Sequence, residues 1–363
     1  MLASCSGARK SVAVEADTQQ KIPRRNKVLL AVVGVMALLT LGVGLVLGLW
    51  SFANYRFVRA GVGADTAQVF EVPGGAGFNR VADKLEAEGL IDSAAIFKLV
   101  TRIDNPDMRL VPGEFELSPA MSMQAISDHL ESGDIIQYRI TIPEGLSVKE
   151  AMARMDAHPV LVDDDPAAPP EGTLLPDTYL FPRGTTQGQL IATMREAHGR
   201  VVEELWAARD PAVPLPSPEA AVILASIVEK ETGVGAERAE VAGVFANRLR
   251  RGMKLQSDPT IIYGITQGLP LGRGLRRSEI DAPTPWNTYA ITGLPPTPIA
   301  NPGREALAAT LRPADTDALY FVADGTGGHA FARTYAGHLR NVRQWRRIER
   351  ERAREAAQTE EAE

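Results

Sequence analysis

An uncharged stretch near the N-terminus most constrains how this 363-residue chain can fold. Residues 28–49 are 22 consecutive positions without a charged side chain. As a helix they would span about 33 Å, enough to cross the hydrocarbon core of a bilayer. Basic residues are concentrated before the stretch (Lys21, Arg24, Arg25, Lys27) rather than after it (Arg56, Arg59). This asymmetry predicts a transmembrane helix over residues 28–50, with residues 1–27 cytoplasmic and the rest outside.

A cleaved signal peptide is the alternative interpretation of the same stretch. Ser51, Phe52 and Ala53 would then form the cleavage site. The apolar stretch is longer than the apolar region of a typical signal peptide, so an uncleaved anchor is favoured.

The composition excludes several classes of function. The net charge of −6 at pH 7 argues against nucleic acid as a partner, and the single cysteine, Cys5, excludes an internal disulfide. The five histidines lack the spacing of a zinc site, and no phosphate-binding loop or serine-hydrolase elbow is present. We therefore expect no metal and no other cofactor.

The segment after the anchor contains a loose repeat of strand, turn and amphipathic helix. The predicted strands are 69–72, 113–117 and 138–142, and the predicted helices are 78–89, 122–132 and 147–157. Because such units cannot bury their apolar faces alone, we expect residues 66–160 to pack as a small α+β subdomain. Residues 51–65 are predicted to be a linker, 161–216 a connecting segment and 343–363 a charged helical tail.

Residues 217–233 (SPEAAVILASIVEKETG) are predicted to form one helix. Ser217 suits its N-cap, Pro218 its first position and Gly233 its end. A second amphipathic helix is predicted over residues 237–250.

Glu231 lies on the apolar face of the first of these helices. It follows Ile227 and Val228 by four and three residues, whereas Glu229 points to the opposite side and is expected to be solvated. Burial and the nearby helix C-terminus both raise the pKa of a carboxyl, and a general acid needs this at neutral pH. The alternative is that residues 229–231 form an ordinary solvated charge run.

Irregular stretches rich in amide, hydroxyl and aromatic groups follow, mainly over residues 255–264 and 285–303. These groups suit a sugar, since amides and hydroxyls pair with its hydroxyls and aromatic rings cover its apolar faces. The alternative is a set of proline-locked loops without a ligand. Residues 319–323 and 329–332 flank a glycine-rich turn and predict a hairpin, in which we interpret His329 as structural.

Several of these motifs, in order along the chain, resemble one known family. They are PDTY at 176–179, LASIVEKET at 224–232, NRL at 247–249, QSDPT at 256–260, NTY at 287–289, GLPP at 293–296, NPG at 301–303 and YFVADG at 320–325. Together they are similar to the YceG-like endolytic murein transglycosylases. The resemblance implies a LysM-like subdomain within residues 66–160, followed by a mixed α+β catalytic domain over 217–342 whose catalytic Glu lies on a helix.

The resemblance also implies an activity. Glu231, which precedes Thr232, would be the catalytic residue of a lytic transglycosylase. It would cleave within peptidoglycan glycan strands and leave 1,6-anhydro ends, helping to terminate nascent strands. The candidate substrate-binding residues are Gln256, Asp258, Thr260, Tyr263, Asn287 and Tyr289.

The implied location is the cell inner membrane, with a single pass and the catalytic domain in the periplasm. The implied partners are peptidoglycan strands and peptidoglycan synthases. Two alternatives stay open at this point. One is a hydrolytic muramidase with Asp258 as its second carboxylate. The other is a non-catalytic scaffold that binds peptidoglycan.

Overall fold

The structure, a computed structural model, describes residues 24–61, 63 and 66–360. Residues 1–23 of the predicted cytoplasmic segment and residues 361–363 of the predicted tail therefore lie outside the described residues. The chain divides into two compact units, Met1–Asp134 and Ile135–Glu363. Both units contain helices and short antiparallel strands, which confirms the predicted α+β class.

Helix α1, Arg24–Val58, contains the predicted membrane-spanning stretch. Within its segment Asn26–Val58, an 18-residue window has a mean hydropathy of 2.6, so the helix is long and apolar enough to cross a membrane. The helix continues into residues 51–58, the beginning of the predicted linker, where Ala53 and Phe57 are buried. Arg56 and Arg59 both contact Asp92 near this end, at 2.8 and 2.6 Å.

The remainder of the first unit is a two-stranded sheet covered by three helices. Strands β1, Gln68–Val72, and β2, Gly113–Leu117, pair antiparallel with Phe70 opposite Phe115. The helices are α2, Phe78–Ala87, α3, Ala94–Asp104, and α4, Met123–Ser132. Strand alternation turns both phenylalanines into the core, where they are fully buried.

The second unit begins with another two-stranded sheet. Strand β3, Tyr138–Thr141, pairs antiparallel with β4, Thr178–Phe181, which lies in the segment predicted as a connection. Helices α5, Val148–Asp156, and α6, Gln187–Ala207, accompany the sheet, and both begin with a capping box. The partner of β3 is therefore a strand that the repeat pattern did not predict.

Two helices form the centre of the second unit. Helix α7, Pro218–Glu231, begins as predicted at Ser217, whose Oγ accepts the N–H of Ala220 at 3.2 Å. A short 3₁₀ turn, Gly235–Glu237, leads into α8, Arg238–Arg250. The two helices pack through apolar residues that are at most 1% exposed: Leu224, Ile227, Val228, Val241 and Phe245.

The C-terminal elements enclose the end of α7. Their bounds are α9, Asp258–Thr266, α10, Arg277–Ile280, α11, Arg304–Leu311, β5, Tyr320–Ala323, β6, His329–Ala332, and α12, Tyr335–Glu360. Strands β5 and β6 form the predicted hairpin, whose turn requires positive φ at Gly325 and Gly327. Helix α12 is joined to the hairpin by Asn341, whose Nδ2 lies 3.4 Å from the carbonyl oxygens of Ala330 and Phe331.

Candidate active site

A cavity of about 560 Å³ lies in the second unit at the C-terminal end of α7. Helix α7 contributes Glu231 and α8 contributes Arg248. The loop before α9 and the start of that helix contribute Gln256 and Asp258. The hairpin and α12 supply most of the remaining wall. Residues far apart in sequence therefore meet around one carboxyl group.

Glu231 is the last residue of α7 and is partly buried. Its pKa is raised above the ordinary value of 4.5, first because burial disfavours the anion and then because of the charge on Asp258. Ser257, His329 and Arg248 act in the opposite direction. The Ser257 hydroxyl is buried, makes no other hydrogen bond among the described residues, and lowers this pKa as a donor to the Glu231 carboxylate. The raised pKa agrees with the expectation from helical phase.

Three of the predicted substrate-binding residues lie with Glu231 on the cavity. They are Gln256, Asp258 and Tyr289. The Tyr289 hydroxyl donates to Asp258 Oδ1 at 2.7 Å; burial raises the pKa of the phenol, and this contact adds to the effect. Gln256 has a φ of +54°, a conformation that is strained for a residue other than glycine, and such strain often marks a functional position.

The structure gives the other three predicted residues different surroundings. Thr260 is fully buried, and its Oγ1 donates to the Ser257 carbonyl at 2.6 Å. Asn287 is also fully buried, and its Nδ2 donates to the carbonyls of Ile280 and Ala282 at 2.8 and 2.6 Å. Tyr263 packs in the apolar core around α7 and α8. These three residues shape the loops that carry the cavity residues, but they do not line the cavity.

The expectation that Glu229 is solvated is wrong. Its side chain is only 6% exposed, and its Oε2 accepts the N–H of Gly303 at 2.9 Å. Its Oε1 lies 3.7 Å from the Arg238 guanidinium, and burial raises the pKa of the carboxyl. The physical reason is the segment that leads into α11, which covers this side of α7. Helical phase within α7 contains no information about that cover.

Arg248 was not among the residues predicted to form the site. It is 7% exposed; its Nε donates to the Leu319 carbonyl and its Nη1 to the Leu255 carbonyl, both at 2.7 Å. The guanidinium also lies 5.3 Å from the centroid of the Tyr320 ring. A buried cation thus joins the hairpin to the loop before α9. A charged residue on the apolar side of α8 was the available signal in the sequence.

Aromatic residues form part of the cavity wall. Tyr320 comes from β5, while Tyr335, His338 and Trp345 come from α12. The rings of Tyr320 and His338 stack at 5.3 Å. Trp345 belongs to the predicted charged tail, beyond the predicted catalytic domain, and the structure places it on the cavity. Such a wall suits the apolar face of a sugar ring.

The sequence of this chain also matches known proteins. Residues 70–344 match the model of the YceG-like family. The chain belongs to the YceG-like family. The matched segment includes Glu231 and every cavity residue named above except Trp345, which follows it directly.

Curated relatives of this YceG-like chain carry one name. A protein of Bacillus subtilis named endolytic murein transglycosylase is 29% identical over 300 residues, which is 74% of this chain and 81% of the relative. A protein of Streptococcus pneumoniae with the same name is 28% identical over 324 residues, 75% of this chain and 57% of the relative. The chain thus spans just over half the length of the pneumococcal relative.

A solved structure of a YceG-like protein from Listeria monocytogenes is also similar. It is 28% identical and aligns over 76% of this chain and 99% of its own, with a TM-score of 0.47.

Proposed function

We propose that this chain is a membrane-anchored lytic transglycosylase that cleaves within peptidoglycan glycan strands. The observation that carries the proposal is Glu231, a carboxyl with a raised pKa on a cavity lined by aromatic and polar side chains. Membership of the YceG-like family and the name shared by the curated relatives support the same activity.

Glu231 acts first as an acid. Its raised pKa favours the protonated carboxyl, which donates to the oxygen between N-acetylmuramic acid and N-acetylglucosamine. The bond from this oxygen to C1 breaks, the electron pair leaves with the oxygen, and positive charge develops at the sugar ring. Asp258 assists this step because its charge favours the protonated form of Glu231.

Glu231 then acts as a base. Its carboxylate takes the proton of the muramic C6 hydroxyl while O6 bonds to C1. The product is a 1,6-anhydro end, and Glu231 is protonated again without consumption of water. Gln256, Asp258 and Tyr289 are proposed to bind the sugar, since all three line the cavity beside Glu231.

A hydrolytic muramidase is the second candidate, because Asp258 supplies another carboxylate on the same cavity. The two candidates differ in the ends of their products. Purified peptidoglycan should be digested in water enriched in ¹⁸O and the fragments analysed by mass spectrometry. We expect anhydromuramic ends without label. Reducing ends that carry ¹⁸O would establish hydrolysis instead, and the absence of cleavage would favour the scaffold alternative.

We also propose how the chain is placed in the cell. Helix α1 would cross the inner membrane once and leave residues 51–363 in the periplasm, as the basic residues before it favour. The two-stranded sheet and helices of residues 68–132 support a LysM-like, glycan-binding role within residues 66–160. Termination of nascent strands beside peptidoglycan synthases would follow from this location.

A further inference from the structure

His329 is held at the cavity by a single carboxylate. Glu237, the last residue of the 3₁₀ turn after α7, accepts the backbone N–H of His329 at 3.0 Å through Oε1. Its Oε2 lies 2.8 Å from Nδ1 of the imidazole. One side chain thus fixes both the main chain and the ring of a residue that follows it by 92 positions.

These contacts determine which nitrogen of the ring is available. A carboxylate can only accept, so Nδ1 carries the proton and donates to Glu237. The Phe321 ring packs edge-on against the imidazole, with centroids 5.3 Å apart, and fixes its plane. No residue in the described part of the chain hydrogen bonds to Nε2, although His329 lines the same cavity as Glu231. A histidine with a purely structural role would not need this second nitrogen on a cavity.

The proposed reaction needs a group near Glu231 that stabilises its carboxylate form. Burial helps the carboxyl to donate its proton, but the same burial opposes the carboxylate that remains. Asp258 increases the difficulty because its charge has the same sign. Besides the Ser257 hydroxyl, two side chains lower the pKa of Glu231 electrostatically, and His329 has a larger effect than Arg248. The Arg248 guanidinium is already bound by carbonyl oxygens.

We propose that His329 stabilises the carboxylate form of Glu231 during the reaction, and that Glu237 is the positioning residue that holds it there. This role rests on the proposed glycosidic cleavage. His329 keeps its own protons throughout. The proton that moves passes from Glu231 to the leaving oxygen, and a proton from the C6 hydroxyl returns to Glu231. Together, His329 and Glu237 lower the energy of the intermediate that contains the Glu231 carboxylate, and they add no group to the products.

The first test does not need activity. The pKa of Glu231 should be measured by carboxyl ¹³C NMR of selectively labelled full-length protein in detergent micelles, with the signal assigned by its loss in Glu231→Gln. We expect His329→Gln to raise this pKa by about 0.5–1 unit, because the electrostatic attraction between the imidazole and the Glu231 carboxylate is lost. Glu237→Gln should raise it by a smaller amount. The control is His158→Gln, which replaces a histidine outside the cavity whose Nε2 lies 3.3 Å from the Arg139 carbonyl, and it should change nothing.

The second test measures kcat and KM for glycan cleavage as a function of pH. His329→Gln should lower kcat about tenfold or more at neutral pH while KM changes less than about threefold. The pH at which kcat falls on the alkaline side should move upward with the pKa of Glu231. The other titratable groups on the cavity are the same in every variant: Arg248, Asp258, Tyr289, Tyr320, Tyr335 and His338. A shift of the alkaline limit is therefore caused by the change at His329 or Glu237.

An unchanged Glu231 pKa in His329→Gln would overturn the inference, whatever the melting temperature does. A lower melting temperature with an unchanged pKa and an unchanged alkaline limit would assign a structural role only. The end-group experiment tests the proposed function separately, since it depends on the product formed and not on the titration of Glu231.

Discussion

At the scale of single residues, Glu231 shows how one carboxyl can serve as both acid and base. Replacement by Gln keeps the shape of the protonated side chain but removes the proton transfer. We expect Glu231→Gln to lower the rate of cleavage by on the order of 10²–10⁴-fold. Assays on the same purified peptidoglycan, with circular dichroism to confirm the fold, would measure this. Retention of more than a tenth of the activity would contradict the assignment.

The same variant should change how stability depends on pH. A carboxyl whose pKa is raised by folding stabilises the native state below its unfolded value, here 4.5, and this contribution is lost as the pH rises through the raised pKa. Because glutamine does not titrate, the variant does not lose stability in this way as the pH rises. The free energy of unfolding of Glu231→Gln should therefore exceed that of the wild type increasingly as the pH rises above 4.5. Glu229 also has a raised pKa, but it is present in both proteins and its effect cancels in the difference. Parallel curves between pH 4.5 and 8 would contradict this expectation.

Glu229 should matter for stability through its contacts. Glu229→Ala removes the acceptor of the Gly303 N–H and takes a carboxylate away from Arg238. Both groups are poorly solvated, so we expect a loss of about 1–3 kcal/mol in the free energy of unfolding. Glu229→Gln retains an acceptor oxygen and should cost less. Urea unfolding of the two variants side by side would measure the difference, and equal losses would show that the Gly303 contact contributes little.

At the scale of elements, local sequence signals predicted the helices and the hairpin themselves better than they predicted which segments pack around them. The cap Ser217 and the periodicity of apolar residues predicted α7, and the glycines after Ala323 predicted the hairpin. What surrounds these elements depends on pairs that are distant in sequence. Glu237 meets His329, and the segment leading into α11 covers Glu229. Because periodicity carries no information about such contacts, it could not predict that Thr260, Tyr263 and Asn287 lie off the cavity, or that Glu237 holds His329 on it.

The fit of α8 against the segment before β5 can be tested at one glycine. A Cβ on Gly243 would lie 2.9 Å from the Ala314 carbonyl oxygen and 2.8 Å from Thr316 Cγ2, so the backbones could not keep their spacing. Gly243→Ala should therefore destabilise the protein by about 1–3 kcal/mol, although alanine favours a helix. Because α8 carries Arg248, activity should also fall.

A matched control exists in α6. A Cβ on Gly199 would meet nothing within 4 Å, so Gly199→Ala should stabilise the protein by about 0.5–1 kcal/mol through helix propensity alone. Thermal unfolding of Gly243→Ala and Gly199→Ala would measure both changes in stability. The same sign of change in both variants would mean that close packing of α8 does not govern its position.

At the scale of the whole molecule, the chemistry requires the second unit to be on the side of the membrane where peptidoglycan is. The apolar length of α1 allows a crossing, but only the charges on either side of it predict the direction. We expect alkaline phosphatase fused after residue 60 to be active and β-galactosidase fused there to be inactive. The opposite pattern would place the cavity in the cytoplasm and remove its substrate.

A charge variant tests the cause of this orientation. The variant replaces with Gln the four basic residues that closely precede the uncharged stretch: Lys21, Arg24, Arg25 and Lys27. Because Arg56 and Arg59 then become the nearest positive charges, a fraction of the chains should insert in reverse and phosphatase activity should fall. The same substitutions at Arg346, Arg347, Arg350 and Arg352, far from the membrane helix in sequence, should leave the orientation unchanged.

An N-terminal tag that stays on the full-length chain would exclude cleavage near Ser51. Loss of the tag with a soluble periplasmic product would instead make α1 a signal peptide.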